Sequence, residues 1–234
     1  MSLEEYQGRE NLEAMRVAEN YNNFLKDLVR SNCKDPSSIL DFGAGVGTFA
    51  DIFALPFDCI SCVEPDADGL QILRDAGYRA YSCLDEAGEG FSYIYSLNVL
   101  EHTEHDQLTV DALYSALDPG GRFFVYVPAL EVLFSAMDEK VGHFRRYDKE
   151  SLKNLLENAG FVVEKLVYTD FLGVFATIAY KLWPGSPDGS VGIRQLAFYD
   201  KFLFPISRIL SIPFARIVGK NVYATAVKPS DRIP

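Results

Sequence analysis

The sequence predicts an α/β fold in which a mostly parallel sheet carries helices on both faces. Short apolar segments of strand length alternate with segments of helical periodicity over most of the chain. A glycine-rich turn at residues 43–47 directly follows the first apolar segment, as in sheets that bind nucleotides at their strand ends. A length of 234 residues suits one sizeable core. We therefore predict a single domain over residues 1–234.

The alternation begins after an N-terminal helix predicted at residues 9–31, which ends before the turn-forming Lys34-Asp35-Pro36. A core region follows at 37–168. Its predicted strands are 39–42, 59–63, 79–82, 91–97, 122–127 and 161–168, and its predicted helices are 48–55, 67–76, 104–117 and 151–159.

Residues 171–220 interrupt this pattern with apolar segments of helical character. Pro205 and Pro213 predict that the second half of this stretch is broken into short helices. A final strand is predicted at 222–228. Because a strand returns after the helical stretch, we interpret 171–220 as an insertion within one domain.

Composition excludes several classes of function. The net charge of −11 disfavours a nucleic-acid partner. Cys59 and Cys62 have CxxC spacing, but positions i and i+3 of a strand point to opposite faces and no second pair completes a site, so no metal is predicted. The acidic start of the chain predicts no signal peptide, and no apolar run is long enough to span a bilayer. We expect a cytoplasmic location.

The glycine-rich turn predicts a nucleoside-binding site. Glycines at 43, 45 and 47 permit positive φ and close approach of a ligand. Glu64 ends the next predicted strand, where a carboxylate can accept hydrogen bonds from both ribose hydroxyls. The dinucleotide fingerprint requires a small third residue where this chain has Thr48, so a nicotinamide-dependent oxidoreductase remains an alternative that the spacing disfavours.

Four stretches together resemble the motifs of class I S-adenosylmethionine-dependent methyltransferases, in the same order along the chain. They are Ile39 to Ala50, Val63-Glu64-Pro65, Ser96 to His102 and Leu117 to Arg122. The resemblance covers about residues 39–168. It implies a Rossmann-like, seven-stranded sheet whose last strand is antiparallel, with S-adenosylmethionine as the cofactor.

The resemblance also implies a set of cofactor-binding residues. Asp41, Gly43, Ala44, Gly45 and Gly47 would bind the methionine and sugar parts, Glu64 and Pro65 the ribose, Leu84 and Asp85 the adenine, and Asn98, Val99 and Leu100 the sulfonium end. The adenine segment departs from the family, which often has an acidic residue directly after the third strand. Here Ser82-Cys83-Leu84 precedes Asp85.

The segment after the fifth predicted core strand supplies candidate catalytic and substrate residues. A hydroxyl acceptor needs a general base, and His143 has a suitable side chain for that role. His102, Arg145, Arg146 and Tyr147 are the candidate substrate residues, because two arginines suit an acceptor phosphate or carboxylate. The alternative is a structural loop in which the arginines pair with Asp138 or Glu139.

This segment also resembles a bacterial methyltransferase subgroup encoded beside glycosyltransferases of surface-polysaccharide or lipid-linked-sugar synthesis. The resemblance implies methyl transfer to a small-molecule or lipid-linked acceptor, with a sugar hydroxyl as the expected group. The alternative is a non-catalytic module that binds S-adenosylmethionine.

Residues 193–220 carry a net charge of +4, whereas the rest of the chain carries −15. Arg194, Lys201 and Arg208 are seven residues apart, which places them on one side of a helix beside apolar residues. Two roles fit this pattern. The stretch is either a peripheral contact with the inner membrane surface, or a lid or homodimer face.

Overall fold

The computed structural model describes residues 18–34, 36–53, 55–182 and 192–230. Seven strands form one sheet: β1 Ile39–Phe42, β2 Ile60–Val63, β3 Arg79–Tyr81, β4 Phe91–Leu97, β5 Leu117–Pro128, β6 Val162–Thr169 and β7 Asn221–Val227. The α-helices are α1 Glu19–Asn32, α2 Ala67–Asp75, α3 Leu84–Ala87, α4 Asp106–Ala116, α5 Ala136–Lys140, α6 Lys149–Asn158, α7 Phe171–Leu182, α8 Ile193–Phe198 and α9 Phe204–Phe214.

The strand order β3-β2-β1-β4-β5-β7-β6 places β1 where the chain changes direction across the sheet. Strands β1 to β5 pair in parallel, and β7 is antiparallel to both β5 and β6. The predicted mostly parallel sheet with an antiparallel last strand is therefore confirmed. The chain segments that follow β1 and β4 pass over opposite faces of the sheet. They therefore diverge, which opens a crevice at the carboxyl ends of these two strands.

Helices cover both faces of the sheet. On one face, Leu25 and Val29 of α1 pack against Tyr93, whose buried hydroxyl donates a hydrogen bond to the Val29 carbonyl at 2.9 Å. The opposite face is covered by α4 and α6, whose fully buried residues are Val110, Leu113, Leu152 and Leu156. The apolar spacing of these helices therefore fixes which side of each faces the sheet.

Two helix predictions need correction or restriction. The described residues from 45 to 53 form consecutive turns, so the helix predicted at 48–55 is wrong. Hydrogen bonds there join residues three apart, such as Ala50 N–H to Gly47 O at 3.2 Å, and the positive φ of Gly47, 83°, departs from helical geometry. Residues 9–17 of the predicted N-terminal helix lie outside the described residues.

The prediction that prolines divide the insertion into separate short helices is also wrong. Helix α8 continues through a π-helical segment, Tyr199–Leu203, directly into α9. Pro205 lies just after the π-helical segment, where the hydrogen-bond pattern already departs from that of an α-helix, and Pro213 lies next to the end of α9. In the described part of the chain, no helix is long and apolar enough to cross a membrane.

Two buried aspartates join the insertion to the sheet and to α1. Asp170, directly after β6, accepts hydrogen bonds from the hydroxyls of Tyr199 and Ser207 at 2.5 and 2.7 Å. Asp200 accepts from the backbone N–H groups of Asn20 and Tyr21 at 3.0 and 2.9 Å, and so satisfies the start of α1. The insertion is thus held against the core by polar contacts as well as by packing.

Candidate active site

The glycine-rich turn lies at the carboxyl end of β1. The backbone N–H groups of Gly43 and Ala44 both donate to the Val63 carbonyl, at 2.9 and 3.0 Å. Gly43, Gly45 and Gly47 all have positive φ. At Gly43 an added Cβ would overlap the Val99 side chain, so both the conformation and the close packing require glycine there.

Glu64 reaches from the end of β2 to this turn and is buried. One carboxylate oxygen, Oε2, accepts from the Gly45 N–H at 2.7 Å, and the other accepts from the Asp66 N–H at 2.9 Å. Burial raises the pKa of Glu64, and the two backbone hydrogen bonds lower it. The sequence predicted Glu64 beside the glycines, and the structure brings them into direct contact.

Asp41, in β1, is buried below the glycine turn, and its Oδ2 has no hydrogen-bond partner in the described ranges. Burial raises the pKa of Asp41 to about 7, while the Tyr95 hydroxyl lowers it by a smaller amount. A buried oxygen without a partner is costly unless a ligand satisfies it. The cationic amino group of S-adenosylmethionine suits this position.

Asn98 follows β4 and has a φ of 55°, which is unusual for a residue other than glycine. Its amide nitrogen lies 3.5 Å from the Tyr21 hydroxyl, so α1 contributes to this edge of the site. Val99 packs against Gly43, whereas the Leu100 side chain is fully buried in the core. Asn98 and Val99 therefore face the predicted sulfonium position better than Leu100 does.

The remaining cofactor candidates lie farther out along the same edge. Leu84 begins α3 and packs partly against the core, while Asp85 and Pro65 are exposed. Their side chains make no described contact with the glycine turn. The adenine-binding role of this segment stays a prediction.

His143 is the centre of a second group of polar side chains. Its Nδ1 lies 2.8 Å from Asp138 Oδ1. Arg146 donates to both oxygens of the same carboxylate, at 2.9 and 3.0 Å. Burial raises the pKa of Asp138, but the hydrogen bonds from His143 and Arg146 outweigh it and hold that pKa well below its usual value. Because an ionised Asp138 can only accept a hydrogen bond, Nδ1 of His143 carries the proton in a neutral ring. The free lone pair of His143 is then on Nε2.

Glu101 and His102, in a 3-10 turn directly after β4, face His143. Glu101 is 0% exposed, and among the residues that the structure describes neither of its carboxylate oxygens has a hydrogen-bond partner. Burial raises the pKa of Glu101 to about 8. The rings of His102 and His143 meet edge to face with centroids 4.6 Å apart. Desolvation, followed by the neighbouring His143, lowers the pKa of His102.

The other substrate candidates have internal partners. Arg145 pairs with Asp106 at 2.7 Å, and the Tyr147 hydroxyl lies 2.9 Å from the same carboxylate. Tyr147 is buried, and the Arg146 side chain is almost fully buried against Asp138. The geometry therefore matches the structural alternative for Arg146, which positions His143 through Asp138 and offers no free charge to an acceptor.

Sequence reasoning missed the environment of Glu101 and the roles of Tyr21 and Asp200. Two signals were available: Glu101 stands beside a histidine after a strand, and Asp138 stands five residues before His143. Neither signal reveals burial, because burial depends on the segment at 136–147 folding back over the end of β4. The backbone bond from Phe144 N–H to the Glu101 carbonyl, 2.8 Å, fixes that approach.

The sequence matches the model of one protein family. The family described as a methyltransferase domain matches residues 13–166. No curated protein of similar sequence was found.

Solved structures match over nearly the whole chain. An S-adenosylmethionine-dependent methyltransferase from Thermotoga maritima has a TM-score of 0.64 and 17% identity, over 95% of this chain and 96% of that one. Another, from Mesorhizobium loti, has a TM-score of 0.56 and 16% identity, over 86% and 96%. Phosphoethanolamine N-methyltransferase 2 from Haemonchus contortus, bound to S-adenosylhomocysteine, has a TM-score of 0.60 and 15% identity, over 98% of this chain and 61% of that one.

The fold and the carboxyl-edge site define a Rossmann-like methyltransferase. The family match covers well over half of the chain, which therefore belongs to the methyltransferase-domain family and uses S-adenosylmethionine as its cofactor. The oxidoreductase alternative receives no support from either comparison. The glycine turn, the unpartnered Asp41 oxygen and the buried Glu64 fit this cofactor.

We expect Asp41→Asn to flatten the pH dependence of stability. The folded state holds a proton on Asp41 up to about pH 7, whereas the unfolded chain releases it near pH 4, so rising pH removes stability between these values. Between pH 5 and pH 8 the free energy of unfolding of wild type should fall by about 2 kcal/mol relative to the variant. Urea unfolding at both pH values measures this.

Asp58→Asn, at an exposed position, is the control and should follow wild type at both pH values. Parallel pH profiles for wild type and Asp41→Asn would contradict the raised pKa.

We expect Glu64→Ala to weaken S-adenosylhomocysteine binding by about 1.5–3 kcal/mol, the range for a hydrogen bond to a charged group. Titration calorimetry measures this. Glu64→Gln keeps one oxygen for the Gly45 N–H and should lose less. Affinity for Glu64→Ala within about twofold of wild type, under 0.5 kcal/mol, would contradict the ribose role.

Proposed function

We propose that the chain transfers a methyl group to a hydroxyl of a sugar-type, lipid-linked acceptor at the membrane surface. The cofactor supplies the methyl group on its sulfonium. The acceptor oxygen attacks the methyl carbon in line as the carbon–sulfur bond breaks and S-adenosylhomocysteine leaves. The protein must therefore hold the acceptor and remove its proton. The observation that carries the proposal is the His143–Asp138 pair at the carboxyl edge of the sheet.

His143 has the arrangement of an oriented general base. Asp138 holds Nδ1, and Arg146 and Ser135 hold Asp138 in turn, so the Nε2 lone pair has a fixed direction. A histidine in this tautomer can accept a hydroxyl proton as the oxygen attacks the methyl group. The Asp138 carboxylate then stabilises the imidazolium that forms.

The surface of the insertion supports a lipid-linked acceptor. Several of its apolar side chains face solvent, among them Ile209, Ile212 and Ile217 at 69, 76 and 71% exposure. Arg194, Lys201, Arg208 and Arg216 are exposed on the same stretch. Exposed apolar side chains among cations, in an otherwise acidic protein, suit an anionic lipid surface.

The first helix of the insertion, α7, contacts the segment next to the site. Lys181, near the end of α7, donates to the carbonyls of Val132 and Phe134 at 3.0 and 2.9 Å. Those residues directly precede the segment that carries Asp138 and His143. A membrane under the insertion would therefore present a lipid-linked group close to His143. The resemblance to methyltransferases encoded beside lipid-linked-sugar glycosyltransferases supports the same acceptor class.

The direct test uses S-adenosylmethionine labelled in its methyl group and a lipid extract of the organism that encodes the chain. We expect label in the lipid fraction, released as an O-methylated sugar by mild acid. Label that stays in water-soluble products would contradict the lipid-linked acceptor.

We expect His143→Ala to reduce this methyl transfer by about 10²–10⁴, the contribution of general acid–base catalysis, without a comparable loss of S-adenosylhomocysteine affinity. Rates and calorimetry on the same preparation separate the two effects. His105→Ala removes an exposed histidine nearby and is the matched control. Turnover of His143→Ala at a few tenths of wild type would show that His143 is dispensable for the chemistry.

We expect the protein to co-sediment with vesicles that contain phosphatidylglycerol and not with neutral phosphatidylcholine vesicles, and we expect salt to weaken the binding. Lys201→Glu with Arg208→Glu should abolish it.

Lys153→Glu with Arg79→Glu changes the net charge equally at exposed positions far along the chain from the insertion, and should bind as wild type. Failure to sediment with either vesicle type, together with a dimer in analytical ultracentrifugation, would assign the surface to a homodimer.

A further inference from the structure

Glu101, His102 and His143 form the one compact cluster of this kind among the residues that the structure describes. Each offers one ligand atom, and these atoms lie within 4.8 Å of one another. Glu101 Oε1 and His143 Nε2 are 3.9 Å apart. Two imidazoles and a carboxylate are donors that bind Zn²⁺, Co²⁺ and related divalent ions.

The carboxylate of Glu101 distinguishes this cluster from an ordinary polar patch. Its side chain is fully buried, both oxygens lack a hydrogen-bond partner within the described part of the chain, and one of them faces the histidines. Buried carboxylates normally have hydrogen bonds, an ion partner or a metal. No other described residue donates a hydrogen bond to the Glu101 carboxylate. Arg146, whose charge acts on Glu101, is already paired with both oxygens of Asp138.

The hydrogen bonds around His143 match those of a histidine that binds a metal ion. Histidine ligands usually donate their other ring N–H to a carboxylate, which fixes the tautomer and the ring orientation. Asp138 does this at 2.8 Å, and its own charge is balanced by Arg146. His102, on the opposite side, keeps access to solvent.

We propose that Glu101, His102 and His143 bind one divalent cation of the Zn²⁺ and Co²⁺ type. Tetrahedral coordination needs ligand atoms about 3.4 Å apart, so small rotations of the three side chains close the site. Three protein ligands leave a coordination position open, as in catalytic sites. An acceptor hydroxyl could occupy that position.

This inference rests on the hydroxyl acceptor of the proposed function and specifies how that hydroxyl is activated. A bound ion lowers the pKa of the coordinated hydroxyl, whose proton leaves to solvent. The oxygen then forms the bond to the methyl carbon as the carbon–sulfur bond breaks. With the ion bound, the Nε2 lone pair of His143 serves the ion instead of accepting the proton directly.

The test is titration of chelator-treated protein with Co²⁺, followed by visible absorption. We expect one equivalent to give the intense spectrum of a four-coordinate ion, and Zn²⁺ to displace it. Glu101→Gln and His143→Gln should lose the spectrum, and Asp138→Asn should weaken binding by about 10–100-fold. His105→Ala is the control and should bind as wild type.

Because His102 is exposed, His102→Ala tests one ligand with little risk of misfolding. Thermal unfolding of Glu101→Gln and His143→Gln is measured in parallel, to show whether these variants fold. A wild-type spectrum no different from that of Glu101→Gln would overturn the site. Full methyl transfer by metal-free protein would overturn its role and leave the proposed function standing. Co²⁺ binding that requires Glu101, His102 and His143, in a protein that does not methylate lipid, would support the metal site and contradict the lipid-linked acceptor.

Discussion

Because β1 pairs in parallel with both β2 and β4, the turns after these three strands leave the sheet at the same edge. Gly43, Glu64 and Asn98 therefore lie at the same edge of the sheet although they are far apart in sequence. Each position is tightly determined: Gly43 and Asn98 have positive φ, and Glu64 is bonded to Gly45. The cofactor site depends on this strand direction more than on any single contact.

Four buried acids lie at or near that edge, and they differ in how their charge is compensated. Asp138 has Arg146 and His143, and Glu64 has two backbone N–H groups. Asp41 and Glu101 each retain oxygens without partners among the described residues, and burial raises the pKa of both. Asp138 positions His143, and Glu64 holds the glycine turn at the predicted ribose position. Uncompensated acids are the ones expected to meet a cationic ligand, here the amino group of the cofactor and the proposed metal ion.

The sequence predicts the strands well because buried parallel strands are short apolar runs bounded by turns, as at 39–42 and 91–97. It fails at 48–55, where helical periodicity is present but the three glycines set a different backbone path. It offered Asp138 as a partner of the arginines only as the alternative to an anion site, and it did not identify Asp106, which pairs with Arg145. The periodicity of one helix or strand does not show which residues of other elements its side chains contact.

The insertion links the proposed membrane surface to the cofactor site through α1. Asp200, in the π-helical segment, holds the start of α1 by bonding the Asn20 and Tyr21 backbone. The Tyr21 ring packs on Phe204, and its hydroxyl lies near the Asn98 amide. A continuous series of contacts therefore connects α8 and α9 to Asn98, at the predicted sulfonium end. Since Asp200 is buried and its neighbour Lys201 is exposed, one turn of helix presents both an internal anchor and a charge proposed to face the membrane.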